Sequence, residues 1–286
     1  MSNRITKAEL LTSAPILANP CYVQPFLSLH NEDCLETMGR IETGSVNLIL
    51  TDPPYNTTAC EWEYEIDLPK IWNEWERILK DDGVIVCFSD EPFTSRLIMS
   101  RLGFFKYRIT WDKQIGSNFL NALKMPLKQT EDAVVFAKVK NGNYTYNPQM
   151  FDKPKQNVRP IGNRKPIEKT TYGKHNGNYS ENYDNTKSHP SNLISFCGKE
   201  KECNSVNREH PTQKPFDLMR YLVRTYSNEN DLVFDGYSGS GTTAHACIKE
   251  GRKFIGSELN KEYYENSVKR LSNAISQPEM FVGFGS

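Results

Sequence analysis

The 27 residues from Leu232 to Glu258, "LVFDGYSGSGTTAHACIKEGRKFIGSE", constrain the fold of this 286-residue chain more than any other stretch. An apolar run ends on an acid. A turn with three glycines follows, then a helix-length segment, then a second apolar run that also ends on an acid. Strand, turn, helix and strand in so short a space predict two parallel strands joined across a helix.

The same alternation occurs upstream. "SVNLILT" (Ser45–Thr51) is a mostly apolar run that suits a buried strand. "DLPKIWNEWERILKDDG" places Ile71, Trp75, Ile78 and Leu79 on one helical face, with Gly83 as its expected stop. "VIVCFS" (Val84–Ser89), "YRITWDK" and "EDAVVFAKV" are expected strands; "DEPFTSRLIMSRLG", "PFDLMRYLVRTYS" and "NKEYYENSVKRLSNAI" are expected helices. Together they predict an α/β fold, a doubly wound and mainly parallel sheet that binds ligands at the carboxyl ends of its strands. The core is expected over residues 26–140 and 210–275, after an N-terminal arm at 1–25. Residues 141–209 differ in character. They are rich in Asn, Tyr, Lys and Gly, and carry eleven Lys and Arg against seven Asp and Glu, whereas the whole chain has 35 of each. They read as a loop-rich inserted lobe, and a plain surface insertion has the same composition.

Seven cysteines fall at irregular spacings with no Cys-x-x-Cys pair, the pattern of reduced thiols in an intracellular protein. His189, Cys197, Cys203 and His210 match no common zinc spacing, so no metal is expected. The first twenty residues lack the apolar core of a signal peptide, and no window approaches a membrane span. A cytoplasmic location without membrane attachment is the expectation.

Two strand ends carry the candidate chemistry. At the first, Asp235 precedes Gly236, Gly239 and Gly241. Such a loop lets a ligand approach the backbone, and the following helix start offers N–H groups to a carboxylate or phosphate. No lysine follows Gly241, which excludes a phosphate-binding P-loop. The G-x-x-G-x-G spacing also differs from the dinucleotide G-x-G-x-x-G, which disfavours a nicotinamide oxidoreductase. Glu258 lies 19 residues after Gly239, where an acid can accept hydrogen bonds from both ribose hydroxyls of an adenosine. A bare turn, with Glu258 capping the helix that begins near Asn260, is the structural alternative. At the second strand end, "LILTDPPYNTT" stops on an acid and two prolines, which cannot continue a sheet ladder. Asp52 and Tyr55 are left at the tip.

Three segments occur in a telling order: "DCLETMGRIETGSVNLILTDPPYN", then "HPTQKP", then "VFDGYSGSGTT…FIGSELNKEYYE". From Asn31 to Leu271 the chain resembles the beta-class amino-DNA methyltransferases, in which the catalytic tetrapeptide precedes the cofactor loop. The resemblance implies a Rossmann-like methyltransferase fold, S-adenosyl-L-methionine as cofactor and double-stranded DNA as partner. It leaves a homodimer and a cognate restriction endonuclease open. Asp52, Pro53, Pro54 and Tyr55 match the catalytic tetrapeptide. Asp235, Gly236, Gly239 and Gly241 match the cofactor loop, Glu258 the ribose-binding acid, and Asp33 the acid near the adenine. Thr212 and Lys214 match the segment that closes over the methionine part. Gly236 and Tyr237 stand where the family usually has proline and phenylalanine.

By this resemblance the substrate is an exocyclic amine on a base taken out of the duplex. Asp52 and the Pro53 carbonyl would accept the two amine hydrogens, and Tyr55 would stack on the base. Aspartate at the first position is the form usual for adenine N(6), and serine for cytosine N(4), so adenine is expected and cytosine is the alternative. The stretch 141–209 is the expected target-recognition region, while Lys113, Lys124 and Lys128 are candidates for phosphate contact. An RNA or protein methyltransferase is a competing function that Asp52 and the order of the motifs disfavour; an inactive binding module on the same fold is another, which intact Asp52, Tyr55, Asp235 and Glu258 disfavour.

Overall fold

The computed structural model describes residues 21–24, 26–55, 65–117, 119–139, 143–154, 157–158, 167–170, 173–175, 184–196 and 213–276. They fall into two compact units, one formed by residues 1–147 and 192–286 and the other by 148–191.

In the larger unit the chain runs β1 (Cys21–Gln24), β2 (Leu27–His30), α1 (Cys34–Arg40), β3 (Val46–Thr51), α2 (Leu68–Ile78), β4 (Leu79–Ser89), α3 (Phe93–Ser100), β5 (Phe105–Ser117) and β6 (Lys128–Ala137). The smaller unit holds two short antiparallel pairs. β7 (Phe151–Asp152) pairs with β10 (Lys187–Ser188), and β8 (Ile167–Thr170) with β9 (Gly173–His175). The larger unit then resumes with β11 (Leu193–Ser195), α4 (Phe216–Tyr226), β12 (Leu232–Asp235), α5 (Thr242–Lys249), β13 (Lys253–Ser257) and α6 (Lys261–Ser276).

One nine-stranded sheet carries the larger unit, in the order β1-β2-β13-β12-β3-β4-β6-β5-β11. Its centre, β2-β13-β12-β3-β4, is wholly parallel. Side chains alternate between its faces, as a period of two requires. Leu48, Leu50, Val84, Val86 and Phe88 face the layer of α4, α5 and α6, through Leu218, Leu222, Tyr226, Ala244, Cys247 and Leu271. Ile49, Ile85 and Cys87 face α1, α2 and α3, through Met38, Ile71, Trp72, Trp75, Phe93 and Leu97. The mainly parallel, doubly wound sheet expected from the alternation is therefore present.

The helix beginning at Leu68 is shorter than expected. Asp67 caps it by accepting from the Lys70 N–H (3.2 Å), but it ends at Ile78, and Leu79 already opens β4. Leu79 pairs with Val46 and is fully buried. Gly83 is thus inside a strand rather than at a helix end. A Cβ there would lie 2.8 Å from Leu79 Cδ1 and 3.0 Å from the Asn47 carbonyl, so only glycine fits where β4 shifts register against β3. Three further strands of this sheet lie outside the expected elements. Leu27–His30 pairs in parallel with β13, Cys21–Gln24, in the stretch read as an arm, pairs with β2, and Leu193–Ser195, in the stretch read as an insertion, pairs in parallel with β5.

The order of the central strands creates the crevice. β12 and β3 are parallel neighbours, with Phe234 opposite Ile49. From β3 the chain continues to β4 on one side; from β12 it continues to β13 on the other. The two connections leave in opposite directions from adjacent carboxyl ends, the arrangement that opens a ligand crevice.

Candidate active site

Both acidic strand ends meet at this crevice. Asp52 follows β3 directly, and Asp235 closes β12. Thr51 joins them, its hydroxyl donating to Asp235 Oδ1 at 2.9 Å across 184 residues of sequence. Asp235 is 3% exposed and also accepts from Thr243 Oγ1 (2.6 Å) and the Tyr237 N–H (3.1 Å). Burial nonetheless pushes its carboxyl up to about 6; those three hydrogen bonds pull the other way.

Asp52 and three further polar groups close a ring. The Tyr55 hydroxyl donates to Asp52 Oδ1 and lies 3.2 Å from Glu131 Oε1. The Lys214 ammonium bonds Asp52 Oδ2 and sits 2.9 Å from Glu131 Oε1. Lys214 is 8% exposed, with its charge 4.9 Å above the Phe88 ring. Burial works against that charge, but Asp52 and Glu131 outweigh it and hold the ammonium above the ordinary lysine range. Burial also pushes Asp52 up, and Glu131 adds to this, while Lys214 and Tyr55 draw it back. For Glu131 the attraction of Lys214 prevails over burial, and its carboxyl falls below the ordinary range. The Tyr55 ring stacks on Phe93, with centroids 5.6 Å apart and planes 21° apart. Pro53 is buried behind the tip.

The glycine loop is held by its own acids and turns. Gly239 and Gly241 have φ of +50° and +73°. Gly241 precedes α5, and a Cβ on it would come within 3.2 Å of Ser267 Cβ. Glu258 accepts from the Gly239 N–H and from the Asn260 N–H, both at 2.8 Å, so the acid bridges the loop and the start of α6. The cap of α6 is Asn260, whose Oδ1 accepts from the Glu262 and Tyr263 N–H groups at 2.9 and 3.2 Å; Glu258 steadies that cap residue and the loop rather than capping the helix itself, and burial pushes its carboxyl up. Asp33 caps α1, accepting from the Leu35 N–H at 2.8 Å. Ser238 Oγ, in the middle of the loop, is buried without a hydrogen-bond partner among the described residues. A buried hydroxyl left so is costly and calls for a polar ligand atom. Together with carboxylates and helix N–H groups, it makes a donor and acceptor set suited to a small zwitterion bearing hydroxyls.

Of the sequence candidates, Asp52, Pro53, Tyr55, Lys214, Asp235, Gly236, Gly239, Gly241 and Glu258 lie along the ends of β3, β12 and β13 or directly against them. Asp33 stands at the start of α1, after β2, and Pro54 between Pro53 and Tyr55. Thr212 lies outside the described residues, as do Cys197, Cys203 and His210. Glu131 was missed, and so was the bond from Lys214 to Asp52. Glu131 looks like a polar lead into the apolar run of β6, and its only sequence signal is an acid beside a buried strand start.

Comparison with known proteins identifies the family and the fold. The family model N6_N4_Mtase, described as DNA methylase, matches residues 46–269. The chain is 31% identical over 254 residues to the DNA adenine methyltransferase YhdJ of Escherichia coli strain K12, covering 85% of this chain and 81% of that protein. Among solved structures, the M1.HpyAVI–SAM complex matches with a TM-score of 0.55 and 25% identity, covering 85% of this chain and 99% of the other. The cytosine-N4-specific PvuII DNA methyltransferase matches with a TM-score of 0.60 over 87% and 91% of the two chains; at 18% identity that likeness concerns the fold.

Proposed function

The chain belongs to the N6/N4 DNA methylase family, and from that premise we propose that it methylates the 6-amino group of adenine in double-stranded DNA. It is a DNA methyltransferase that uses S-adenosylmethionine, which supplies a sulfonium methyl group when bound. The observation that carries the reading is the hydrogen bond from Thr51 to Asp235, which sets the tip holding Asp52 beside the glycine loop.

We assign the cofactor to Asp235, Ser238, the Gly239–Gly241 turn and Glu258, with Asp33 and Gly236 at its margins; Thr212 is assigned to it on the sequence resemblance alone. Ser238 Oγ has a hydrogen bond to give, and Glu258 has acceptor capacity beyond its two backbone bonds. The exocyclic amine of adenine is a weak nucleophile, because its lone pair is delocalised into the ring. Asp52 accepts one amine hydrogen and the Pro53 carbonyl the other, which favours a tetrahedral nitrogen with a directed lone pair. The Tyr55 face turned from Phe93 stacks the flipped base, a contact worth about 1–3 kcal/mol. Positioning and fixed charge do the remaining work. Aspartate at the tip favours adenine; cytosine N(4), whose amine presents the same donors, is the second reading.

Residues 141–209 are assigned to target recognition on their net positive charge and polar composition. Replacing residues 148–191, the compact unit inside that stretch, and keeping β11 in place is expected to abolish sequence preference and leave cofactor binding intact; unchanged preference would refute that assignment.

The test uses purified protein, mixed-sequence duplex DNA and cofactor labelled on its methyl group, followed by digestion to nucleosides. Label in N(6)-methyladenine, lost in Asp52→Ala, is expected. Label only in N(4)-methylcytosine would keep the chemistry and overturn the base. Cofactor binding without label in DNA would overturn the substrate class.

A further inference from the structure

The ring around Asp52 contains two groups that the transfer chemistry does not itself require. Lys214 comes from the segment leading into α4 and Glu131 from β6, so three separate parts of the chain converge on one carboxylate. Both Asp52 oxygens are held by the protein, Oδ1 by the Tyr55 hydroxyl and Oδ2 by the Lys214 ammonium. A carboxylate pinned at both ends cannot rotate about its last bond, so its remaining lone pairs keep fixed directions. Glu131 fixes the ammonium in turn at 2.9 Å, and its side chain is only 13% exposed.

We propose that Lys214, anchored by Glu131, is a positioning residue for methyl transfer: it holds the Asp52 carboxylate in one orientation and in its charged form. This rests on the reading of Asp52 as the group that receives the amine. Two carboxylates this close in a buried setting would share one proton if no cation stood between them. A protonated Asp52 presents a donor where the amine needs an acceptor. Lys214 removes that competition. The other groups facing the ring do not replace it. Cys87 on β4 is buried, and burial keeps its thiol neutral. Asp235 adds negative charge near Asp52. Lys128 is paired with Asp90, and Lys113 on β5 acts on Glu131. The assignment moves Lys214 from the methionine end of the cofactor, where the resemblance set it, to the acceptor of the base.

The experiment measures kcat/KM for methyl transfer to DNA as a function of pH, and cofactor binding by calorimetry, for the unaltered protein, Lys214→Met, Lys214→Arg and Glu131→Gln. In Lys214→Met the acidic limb is expected to move up by about one pH unit or more, a roughly tenfold loss on the acid side that recovers towards alkaline pH. Cofactor affinity should stay within about threefold. Lys214→Arg should return the limb towards its original position. Glu131→Gln should move it the opposite way, because a competing negative charge is gone and the lysine remains. Opposite shifts from two members of one cluster are not what a merely structural role produces. An unmoved limb in Lys214→Met, or cofactor affinity falling in step with activity, would overturn the proposal. So would an upward shift in Glu131→Gln, the deciding measurement should Lys214→Met fail to fold. Absence of methyl transfer by the unaltered protein would instead overturn the proposed function, and this inference with it.

Discussion

Asp235 offers a prediction in which stability and function move in opposite directions. Its carboxyl has a pKa of 3.8 when unperturbed and about 6 in the fold, because burial disfavours the charge. A carboxyl with a higher pKa folded than unfolded binds its proton more readily in the fold. Its contribution to stability is therefore neutral below pH 3.8, falls as the pH rises through the interval, and levels off above about 6. The full difference of about two pH units corresponds to about 3 kcal/mol, roughly half of it already lost by pH 5. Asp235→Asn removes the charge and keeps the shape. Its amide oxygen can serve the Tyr237 N–H, and the Thr51 and Thr243 hydroxyls can turn to suit an amide. The variant should thus be more stable than the parent at neutral pH without ligand, and its advantage should be larger at pH 8 than at pH 5 by about 1.4 kcal/mol. Urea titrations of both proteins at the two pH values measure this. An advantage that does not grow with pH would refute the reasoning. The same substitution should weaken cofactor binding and methyl transfer, if the charge is retained for the ligand at the expense of the fold.

Three further outcomes are expected. Trp72 is fully buried, lies edge-on to Trp75 and Phe136, and donates to Ser100 Oγ at 2.8 Å, so Trp72→Ala should cost about 3–5 kcal/mol in denaturant titrations. Gly241→Ala places a side chain at φ +73° and against Ser267, and should lower stability by about 1–3 kcal/mol and weaken cofactor binding measured by calorimetry. Tyr55→Phe keeps the ring over Phe93 but frees Asp52 Oδ1, so the turnover rate should fall more than DNA affinity, a split that steady-state kinetics reads directly.

How much of this was legible in the sequence follows from the range of the forces involved. Strands β3, β12 and β13 and helices α4, α5 and α6 are written locally, in short apolar runs, helical periodicity and glycine punctuation, and each stands where the pattern put it. The spacing of Leu79 continues the apolar face of α2 and predicts a helix there. Pairing with Val46, set by a segment more than thirty residues away, draws it into β4 instead. β11 has three residues, too few for any periodicity, and owes its place to β5. The tetrapeptide and the glycine loop were visible because their chemistry is contiguous in sequence. Glu131 and the Lys214–Asp52 bond were not, since an ion pair spanning 162 residues leaves no local trace.

The position of the site follows from the same geometry that made the fold predictable. A parallel sheet must send its chain across a layer of helices after each strand, so loops gather at the carboxyl edge. Where neighbouring strands send their chains in opposite directions, no crossover covers the gap, and residues distant in sequence can meet there. β3 and β12 are those neighbours. Prolines at 53 and 54 end one strand abruptly, and glycines from 236 to 241 bend the other back into a helix. Each device leaves an acid at the rim, and Thr51 ties the two rims together. The cost is visible in the burial that raises Asp52, Asp235 and Glu258 alike. A sheet optimised for stability alone would place neutral side chains at those three positions; on the proposed function, a ligand with hydroxyls, a cationic centre and an amine would give each acid a partner.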